Sequence, residues 1–340
     1  MNREKSVLLI GPNFHYFLHS MKRAFQHLGW DVHLCLYDNP IHPYNFVNKV
    51  RYKLAKNKSG LKESRKEKYQ TEIISIFTDV KPQITLIING DNLLPTTVEF
   101  FAKNSRVGIW LFDSVLRITD CLPNLPYAHA IFCYEREDIK IIKQKYDIDS
   151  YFLPQAVDLS IYNFVDLKKE WDIVFAGDIY HSTKRRILLP KVVDKFGDRK
   201  MIVWGIYKPW FKNPWLWLTR ERKDIYKNCN TSSEQLNFDY NKSRIVLNVH
   251  HEQQKNGANP KVFEIAATQT YQICDANLYI EELFPNGEIG IYHNEQELFD
   301  LIDYALTYDM SEKAKAAYNI VTSQHTFIVR IKTILDKLSE

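Results

Sequence analysis

The sequence lacks the features that identify membrane-spanning, secreted and disulfide-rich proteins. No run of apolar residues approaches the roughly 18 that are needed to cross a bilayer. The five cysteines are scattered and form no C-x-x-C pair, so we expect reduced thiols. The amino terminus has no apolar segment of the kind found in signal peptides. Together these absences predict a cytoplasmic protein.

Motifs of several other protein classes are also missing. Neither the phosphate-binding motif G-x-x-x-x-G-K-[ST] nor the nucleophile motif G-x-S-x-G occurs. No cluster of His, Cys and Asp has the spacing of metal ligands, so we expect no bound metal. The stretch 147–149 matches a D-x-D metal motif but precedes a predicted strand, and we discount it. A net charge of +4 is too small to imply nucleic acid by itself.

Two series of short apolar runs divide the 340 residues, and a chain of this length is expected to form two domains. The first series lies at 6–11, 31–37, 84–88, 107–112, 130–134 and 150–153. After Pro154 a second series lies at 172–177, 201–205, 244–249, 270–275 and 288–292. Helical patterns separate these runs, which predicts two Rossmann-like, doubly wound α/β domains with parallel sheets.

We place the domains at 1–157 and 158–310, and we expect the helices of 311–340 to pack back toward the first domain. In open α/β sheets, ligands bind beyond the carboxyl ends of the strands. Two such domains facing each other would put these edges on opposite walls of a central cleft. That arrangement suits an enzyme that excludes water from around two substrates.

Several stretches of the second half follow one another in a specific order. They are "DIVFAGDIYHSTKRR", "SRIVLNVHHEQQKNGANPKVFEIA" and "LFPNGEIGIYHNEQELFDLIDYAL", with weaker matches such as "VGIWLFDS" in the first half. This order resembles that of group 1 glycosyltransferases, in particular the spore-maturation-protein type. The resemblance implies the GT-B fold, with a nucleotide-sugar donor on the second domain and an acceptor on the first. It also implies that no bound metal is needed.

The block "NPKVFEIA" carries the most specific part of the resemblance. Asn259 is a good N-cap and Pro260 fits the first helical position, so the helix start is suited to a diphosphate. Lys261 in the first turn would oppose the helix dipole unless an anion were bound there. Glu264 lies one turn further on among apolar residues, where ribose hydroxyls would satisfy it. The resemblance implies the same role for Glu264; an exposed position on the outer helix face is the alternative.

The sequence departs from the pattern of the family in three ways. Asn256 stands where retaining relatives often carry a second glutamate that contacts the donor sugar. Thr268 and Gln269 replace the glycine that usually closes the helix. Lys261 replaces a common arginine, giving a point charge instead of a bidentate fork.

Further candidates follow the predicted strands. For donor binding we name Gly11, Gly177, Lys184, Arg185, Arg186 and His250, beside Asn256, Asn259, Lys261 and Glu264. A solvated basic helix start is the alternative reading of 184–186. For catalysis we name Asp113, His15 and Lys261: Asp113 is suited to orienting or deprotonating an acceptor hydroxyl, or to capping the next turn. His15 is a catalytic or acceptor-binding candidate, with a structural role as the alternative.

Two segments suggest surfaces for other partners. The segment 49–68 holds nine Lys or Arg and two Glu, which fits a solvated helix, a nucleic-acid patch, or a cradle for an anionic acceptor or membrane surface. It lacks the interleaved aromatics of a nucleic-acid module, so no nucleic-acid partner is expected. Trp210, Trp215 and Trp217 lie among basic residues, which fits a membrane interface, a dimer contact or a lid.

The sequence thus predicts a cytoplasmic glycosyltransferase, peripheral to the inner face of the membrane if the basic and Trp-rich segments bind lipid. The donor would be a nucleoside-diphosphate sugar, with UDP-sugar favoured, and the acceptor a glycan, lipid-linked or cell-surface polymer hydroxyl. Family analogy favours retention of configuration; inversion would need a base, with Asp113 or His15 as the candidates. The alternatives are a GT-B-like sugar-nucleotide epimerase and a non-catalytic nucleotide-sugar-binding protein.

Overall fold

A computed structural model describes residues 5–12, 16–37, 58–207, 224–252 and 254–340, with side chains omitted for 58–65. The chain forms two compact units. The first comprises Met1–Pro154 together with Phe327–Glu340, and the second comprises Gln155–Thr326. The observed division thus lies at 154/155, three residues before the expected boundary, and only the last helix of the 311–340 segment belongs to the first unit.

The first unit is an α/β domain built on a six-stranded parallel sheet of order β2-β1-β3-β4-β5-β6. Its strands are β1 Ser6–Pro12, β2 Asp31–Tyr37, β3 Ile84–Ile88, β4 Arg106–Leu111, β5 Ala130–Cys133 and β6 Tyr151–Phe152. Its α-helices are α1 Phe17–His27, α2 Lys58–Val80, α3 Pro95–Asn104, α4 Arg136–Tyr146 and the last helix of the chain, and a 3₁₀ helix spans Thr119–Tyr127.

The second unit repeats this architecture with a five-stranded parallel sheet of order β11-β10-β9-β7-β8. Its strands are β7 Trp171–Ala176, β8 Met201–Trp204, β9 Ser243–Asn248, β10 Tyr271–Asp275 and β11 Gly290–Tyr292. Its described helices are α5 Thr183–Phe196, α6 Ser233–Asn241, α7 Pro260–Ala266, α8 Leu278–Leu283, α9 Glu295–Thr307 and α10 Ser311–Gln324; α11 Phe327–Ser339 returns to the first unit.

Both sheets are doubly wound, with the strand order reversing between the first and third strands of each unit. Both faces of each sheet are covered, so all five residues of β3 and all five of β10 are buried, including the polar Gln272 and Asp275 of β10. A reversal of strand order leaves a crevice beyond the carboxyl ends of the two strands that flank it. In the second unit this crevice lies beyond β7 and β9.

The last helix packs into the core of the first unit. Ile331, Ile334 and Leu338 are buried, and a Cβ at Gly108 of β4 would stand 3.3 Å from a methyl carbon of Leu338. Arg330 donates from Nε to the carbonyl oxygen of Pro154 at 2.7 Å. The glycine at position 108 is therefore explained by the close approach of α11 to the sheet.

The end of α7 shows how the chain closes this helix without the usual glycine. Gln269 adopts the left-handed conformation, with φ of 51°. The hydroxyl of Thr268 donates to the carbonyl oxygen of Ile265 at 2.7 Å, and Thr270 donates to the carbonyl of Tyr240 at 2.7 Å. The hydroxyl of Thr268 thus satisfies one carbonyl group at the turn, Thr270 ties the turn to the end of α6, and Gln269 bears the strain of the left-handed backbone.

Relief of this strain should be measurable. Gln269→Gly is expected to raise the free energy of unfolding by about 0.5–1 kcal/mol, because the removed left-handed strain exceeds the added entropy of the unfolded chain. Denaturant titration of the two proteins measures the difference. Gln235→Gly, within helix α6, should have the opposite sign, and a destabilised Gln269→Gly variant would contradict the explanation.

Two expectations fall outside the described residues. The tryptophans at 210, 215 and 217 lie in the undescribed range 208–223, and the greater part of the basic segment 49–68 is likewise undescribed or lacks described side chains. None of the described helices is long and apolar enough to cross a bilayer. All five cysteines are free thiols, as the spacing predicts.

Candidate functional site

The predicted donor-site residues of the second unit gather at the carboxyl ends of β7, β9 and β10. The start of α5 follows β7, the loop 249–258 follows β9, and helix α7 follows that loop. Because the three strands are parallel and adjacent, their following loops emerge at one edge of the sheet.

Asn259 caps α7 and ties it to the sheet. Its Oδ1 accepts a hydrogen bond from the backbone N–H of Val262 at 3.2 Å, as the sequence predicts for an N-cap. Its Nδ2 donates to Oδ1 of buried Asn248 on β9 at 2.8 Å. Gln272 of β10 donates to the carbonyl oxygen of Val262 at 2.9 Å. A buried set of amides therefore fixes where α7 begins relative to β9 and β10.

Glu264 is buried, so the exposed alternative is wrong. Its Oε2 lies 3.9 Å from Nζ of Lys261, one turn earlier on α7. Burial raises the pKa of Glu264, whereas Lys261 and a hydrogen bond from Tyr162 act to lower it. Burial lowers the pKa of Lys261, Glu264 opposes that effect, and the nearby charge of Arg185 adds to it. The two groups thus stabilise each other's charge in a poorly solvated place.

Tyr162 is a partner of Glu264 that the sequence does not point to. It is buried, is hydrogen-bonded with both Glu264 and Ser233, and stacks on Tyr240 with ring centroids 6.3 Å apart. The hydroxyl therefore helps to orient the carboxylate of Glu264. A carboxylate offers about four acceptor positions, so Glu264 keeps capacity for further donors.

Asp275, at the end of β10, contacts two of the predicted donor-binding residues, His250 and Lys184. Its Oδ1 accepts from the backbone N–H of His250 at 2.7 Å and lies 2.9 Å from Nδ1 of the same residue. Its Oδ2 accepts from Nζ of Lys184. Burial by itself would raise the pKa of Asp275, but His250 and Lys184 outweigh it and hold that pKa well below its usual range. Asp275 is therefore a carboxylate that positions Lys184 and His250.

Arg185 is buried and its described contacts are with the backbone. Nε and Nη2 donate to the carbonyl oxygen of Val249 at 2.9 and 2.6 Å, and Nη1 donates to that of Asp178 at 2.9 Å. A Cβ at Gly177 would lie 3.2 Å from Nη1 of Arg185. The guanidinium thus links the loops after β7 and β9, and Gly177 leaves room for it. Arg186 is exposed and bonds the hydroxyl of Thr183.

Glu252 occupies the start of α5. Its Oε1 accepts from the backbone N–H of Lys184 at 2.7 Å and from the hydroxyl of Ser182 at 3.2 Å. These bonds help to hold the pKa of Glu252 below its usual range, although burial opposes them. Ser182 itself caps the N–H of Arg185. A backbone N–H group in the first turn of α5 is therefore bonded to a carboxylate of the protein.

Asn256 forms hydrogen bonds that fix the loop after β9. Its Oδ1 accepts from the backbone N–H of Tyr279 at 3.1 Å, and Asn277 donates to the carbonyl oxygen of Gly257 at 3.1 Å. These bonds fix the loop after β9 to the start of α8. The missing second glutamate is thus replaced by a residue with a defined structural role.

The candidates of the first unit are not all brought together. Asp113 follows β4 and forms an ion pair with Arg117, with Oδ1 2.7 Å from Nη1. Gly11 lies inside β1 and not in the loop after it, and a Cβ there would stand 2.9 Å from Cβ of Ile88. Packing therefore explains Gly11. His15 lies in the undescribed range 13–15.

A buried carboxyl group supports the segment that carries Asp113. Asp138 of α4 accepts from the hydroxyl of Ser114 at 2.7 Å and from the backbone N–H of Val115 at 3.1 Å. Burial raises its pKa to about 6, with the charges of Glu135 and Glu137 adding to the rise and the two hydrogen bonds opposing it. Folding therefore favours the protonated form of Asp138.

Linkage gives the sign of the pH effect. Because the pKa of Asp138 is higher in the folded state, its contribution to stability is complete below the ordinary value near 3.9 and is lost as pH rises through about 6. Asp138→Asn removes this titration. The free energy of unfolding of the variant minus that of the wild type should increase by about 2 kcal/mol between pH 4 and 7. Denaturant titrations at both pH values measure it; an unchanged difference would contradict the raised pKa.

Within the described ranges, one group of three side chains has the proximity of metal ligands: His250, Cys274 and Asp275. Sγ of Cys274 lies 3.5 Å from Nδ1 of His250. However, Nδ1 and Oδ1 are within hydrogen-bonding distance of each other, and Lys184 occupies the other oxygen of Asp275. Burial raises the pKa of the Cys274 thiol. The group is explained as a hydrogen-bonded set and does not suit a cation.

Comparison with known proteins supports the fold and points to the chemistry. Residues 184–336 match the sequence model of a family described as glycosyl transferase-like. None of the curated proteins matches the sequence. The match covers less than half of the chain and includes the start of α5, the loop after β9 and helix α7.

Solved structures show the same architecture at low sequence identity. Sucrose-phosphate synthase from Thermosynechococcus elongatus is similar over 99% of both chains, with 10% identity and a TM-score of 0.70. Trehalose-6-phosphate synthase, studied for glycosyl transfer with retention, covers 98% of both chains with 10% identity and a TM-score of 0.67. A TarM mutant from S. aureus, solved with fondaparinux, α-GlcNAc-glycerol and UDP, is 14% identical over 80% of this chain and 59% of its own, with a TM-score of 0.59. The predicted GT-B fold is confirmed.

Proposed function

We propose that the protein is a group 1 glycosyltransferase that transfers a sugar from a nucleoside-diphosphate donor to an acceptor hydroxyl. The family match over 184–336 supports this reaction class. The spore-maturation-protein type is the closer assignment that the order of motifs suggests. We place the donor on the second unit, at the carboxyl ends of β7, β9 and β10.

The observation that carries the proposal is the buried carboxylate of Glu264, paired with the partly buried Lys261 beside a fixed helix start. A buried carboxylate with remaining acceptor capacity suits the two hydroxyls of a ribose. Lys261 and Lys184 supply positive charge on either side of the loop after β9, where a diphosphate would lie. As the bond from the sugar carbon to the diphosphate breaks, these cations stabilise the negative charge of the leaving group.

The acceptor and the stereochemistry belong to the proposal as well. We favour retention, in keeping with the trehalose-6-phosphate synthase relative. The donor phosphate can then receive the acceptor proton, so a separate base is not required. UDP, which is bound in the TarM structure, is the first donor base to test. The proposed acceptor is a glycan, lipid-linked or cell-surface polymer. We propose that the reaction takes place in the cytoplasm and needs no metal. The basic and Trp-rich segments are proposed to contact the membrane surface or a second copy of the chain.

A thermal-shift screen tests the donor assignment. Nucleoside diphosphates and their sugars should raise the melting temperature, because a ligand bound to the native state stabilises it. Product analysis with the best donor should then find the intact sugar on an acceptor, and the anomeric configuration of the product tests retention. Conversion of the donor into an isomer without transfer would support the epimerase alternative, which the comparisons do not favour. Binding of the donor without turnover would indicate a non-catalytic nucleotide-sugar-binding protein.

Glu252 should compete with the donor for the start of α5. Glu252→Gln is expected to increase affinity for the best nucleoside diphosphate about three- to ten-fold, because a carboxylate at the Lys184 N–H repels a phosphate by about 1 kcal/mol. Calorimetric titration measures this change. Glu281→Gln, on helix α8 of the same unit, is the matched control. Weaker binding by Glu252→Gln would show that the carboxylate supports the site instead.

A further inference from the structure

The strongest unexplained feature at the candidate site is the ring of His250. The residue is buried, with 1% exposure, and its Nε2 has no hydrogen-bond partner among the described residues. Tyr292, the strand neighbour of Asp275, likewise has a buried hydroxyl without a partner there. Buried polar atoms are nearly always hydrogen-bonded, so Nε2 of His250 and the hydroxyl of Tyr292, at adjacent strand ends, are suited to contact a ligand.

The other side of the ring is fully fixed. Asp275 accepts from the backbone N–H of His250 and lies within hydrogen-bonding distance of Nδ1. A proton on Nδ1 therefore faces the carboxylate, and Asp275 stabilises the imidazolium form, whose Nε2–H is a donor. The same carboxylate holds Nζ of Lys184. One acidic group thus positions two cationic donors at one sheet edge.

We propose that His250 donates from Nε2 to an oxygen of the donor's diphosphate, together with Lys184, and that Asp275 is the positioning residue for both. The inference rests on the proposed function. It adds that His250, rather than the adjacent His251, contacts the donor, that it does so through Nε2, and that the group contacted is the diphosphate. An anionic oxygen suits an imidazolium donor better than a sugar hydroxyl does. In the reaction, the same contact stabilises the leaving diphosphate.

The charged and titratable groups around His250 come from several elements. They are Cys274 and Asp275 of β10, Lys184 and Arg185 of α5, Tyr292 of β11, and Glu252 on its own loop. Asp275 is the one that contacts the ring directly through a carboxylate.

The test uses the full chain and calorimetric titration. The first probe is whichever of UDP, GDP, ADP, CDP and TDP raises the melting temperature most. The other two probes are the corresponding nucleoside monophosphate and nucleotide-sugar. His250→Asn keeps an amide where Nδ1 bonds Asp275 but removes Nε2. We expect it to weaken diphosphate binding roughly ten-fold or more and monophosphate binding by less than about three-fold. His250→Gln, which places an amide near the position of Nε2, should recover part of the loss.

The contrast between diphosphate and monophosphate is the measurement that a merely structural role would not produce, because a loss of structure at the site would weaken the binding of both ligands. His251→Asn, on the adjacent and partly exposed histidine, should bind like the wild type.

The outcomes separate this inference from the proposed function. Equal weakening of monophosphate and diphosphate, or none of either, would overturn the role of His250. Weakening seen with the nucleotide-sugar alone would assign Nε2 to a sugar hydroxyl and overturn the phosphate contact. If His250→Asn binds normally while Glu264→Ala does not bind, the donor site stands and this inference falls. If no nucleotide binds the wild type, both fall.

Discussion

Replacing Lys184 with methionine should lower the turnover number for sugar transfer about 100-fold or more. Lys184 stands at the start of α5, and Asp275 directs its ammonium group along the sheet edge where the diphosphate would lie. Removal of one preorganised donor that stabilises developing charge costs roughly 10² to 10³ in rate. Methionine keeps most of the aliphatic chain, so the helix should fold as before. Steady-state kinetics with the best donor measure the effect.

Lys191→Met provides the matched control for this prediction. Lys191 lies on the same helix and pairs with Glu295, away from the strand ends. Its variant should retain wild-type turnover. If Lys184→Met matched the wild type in kcat and in donor affinity, the phosphate would have to bind elsewhere on the chain, and the placement of the donor beside α5 would be wrong.

Glu264→Ala should abolish the thermal shift given by the preferred nucleotide. Two hydrogen bonds from ribose hydroxyls to a buried carboxylate are together worth about 3 kcal/mol, so affinity should fall about 100-fold or more. The variant also leaves the partly buried Lys261 without its counter-charge, which lowers stability in the absence of ligand. The shift must therefore be measured from each variant's own melting temperature.

Two further variants make the result specific to the ribose. Glu264→Gln retains one acceptor and should keep a reduced shift. With the wild type, a 2′-deoxynucleoside diphosphate should bind less tightly than the ribonucleotide, and this preference should vanish in Glu264→Ala. An unchanged shift in Glu264→Ala would show that Glu264 serves only the ion pair with Lys261 and its bond with Tyr162.

The fold was predictable because its signals are local. Short, largely apolar runs such as that of β3 identify buried parallel strands, and their alternation with helical patterns identifies double winding. Asn259 followed by Pro260 predicts the start of α7, because asparagine is a favoured N-cap and proline fits the first helical position. The structure shows this cap, with the side chain of Asn259 accepting from the N–H of Val262. These features depend on neighbours within a few residues, so the sequence contains what is needed to infer them.

The parts that sequence could not supply depend on distant pairings. The sequence indicates only that Asp275 lies at the end of a strand. The fold shows that its carboxylate contacts both Lys184 and His250. From the sequence, Arg185 is as suited to binding a phosphate as Lys184. In the structure, however, its buried guanidinium donates to the carbonyl oxygen of Val249. A signal was present for Asp275, since an acid at the carboxyl end of a predicted central strand lies at the ligand-binding edge. Glu252 and Tyr162 offer no comparable signal.

The second unit is, in topological terms, an insertion into the first. The chain leaves the first unit at Pro154 and returns at Phe327, and the ends of the inserted segment are paired: Val157 donates to the carbonyl oxygen of His325 at 3.0 Å. An unfolded segment of about 170 residues would cost roughly 4–5 kcal/mol of loop-closure entropy before α11 could dock. Once folded, the inserted unit holds its own ends together and removes most of that cost. Completion of the first unit is thus thermodynamically coupled to folding of the second.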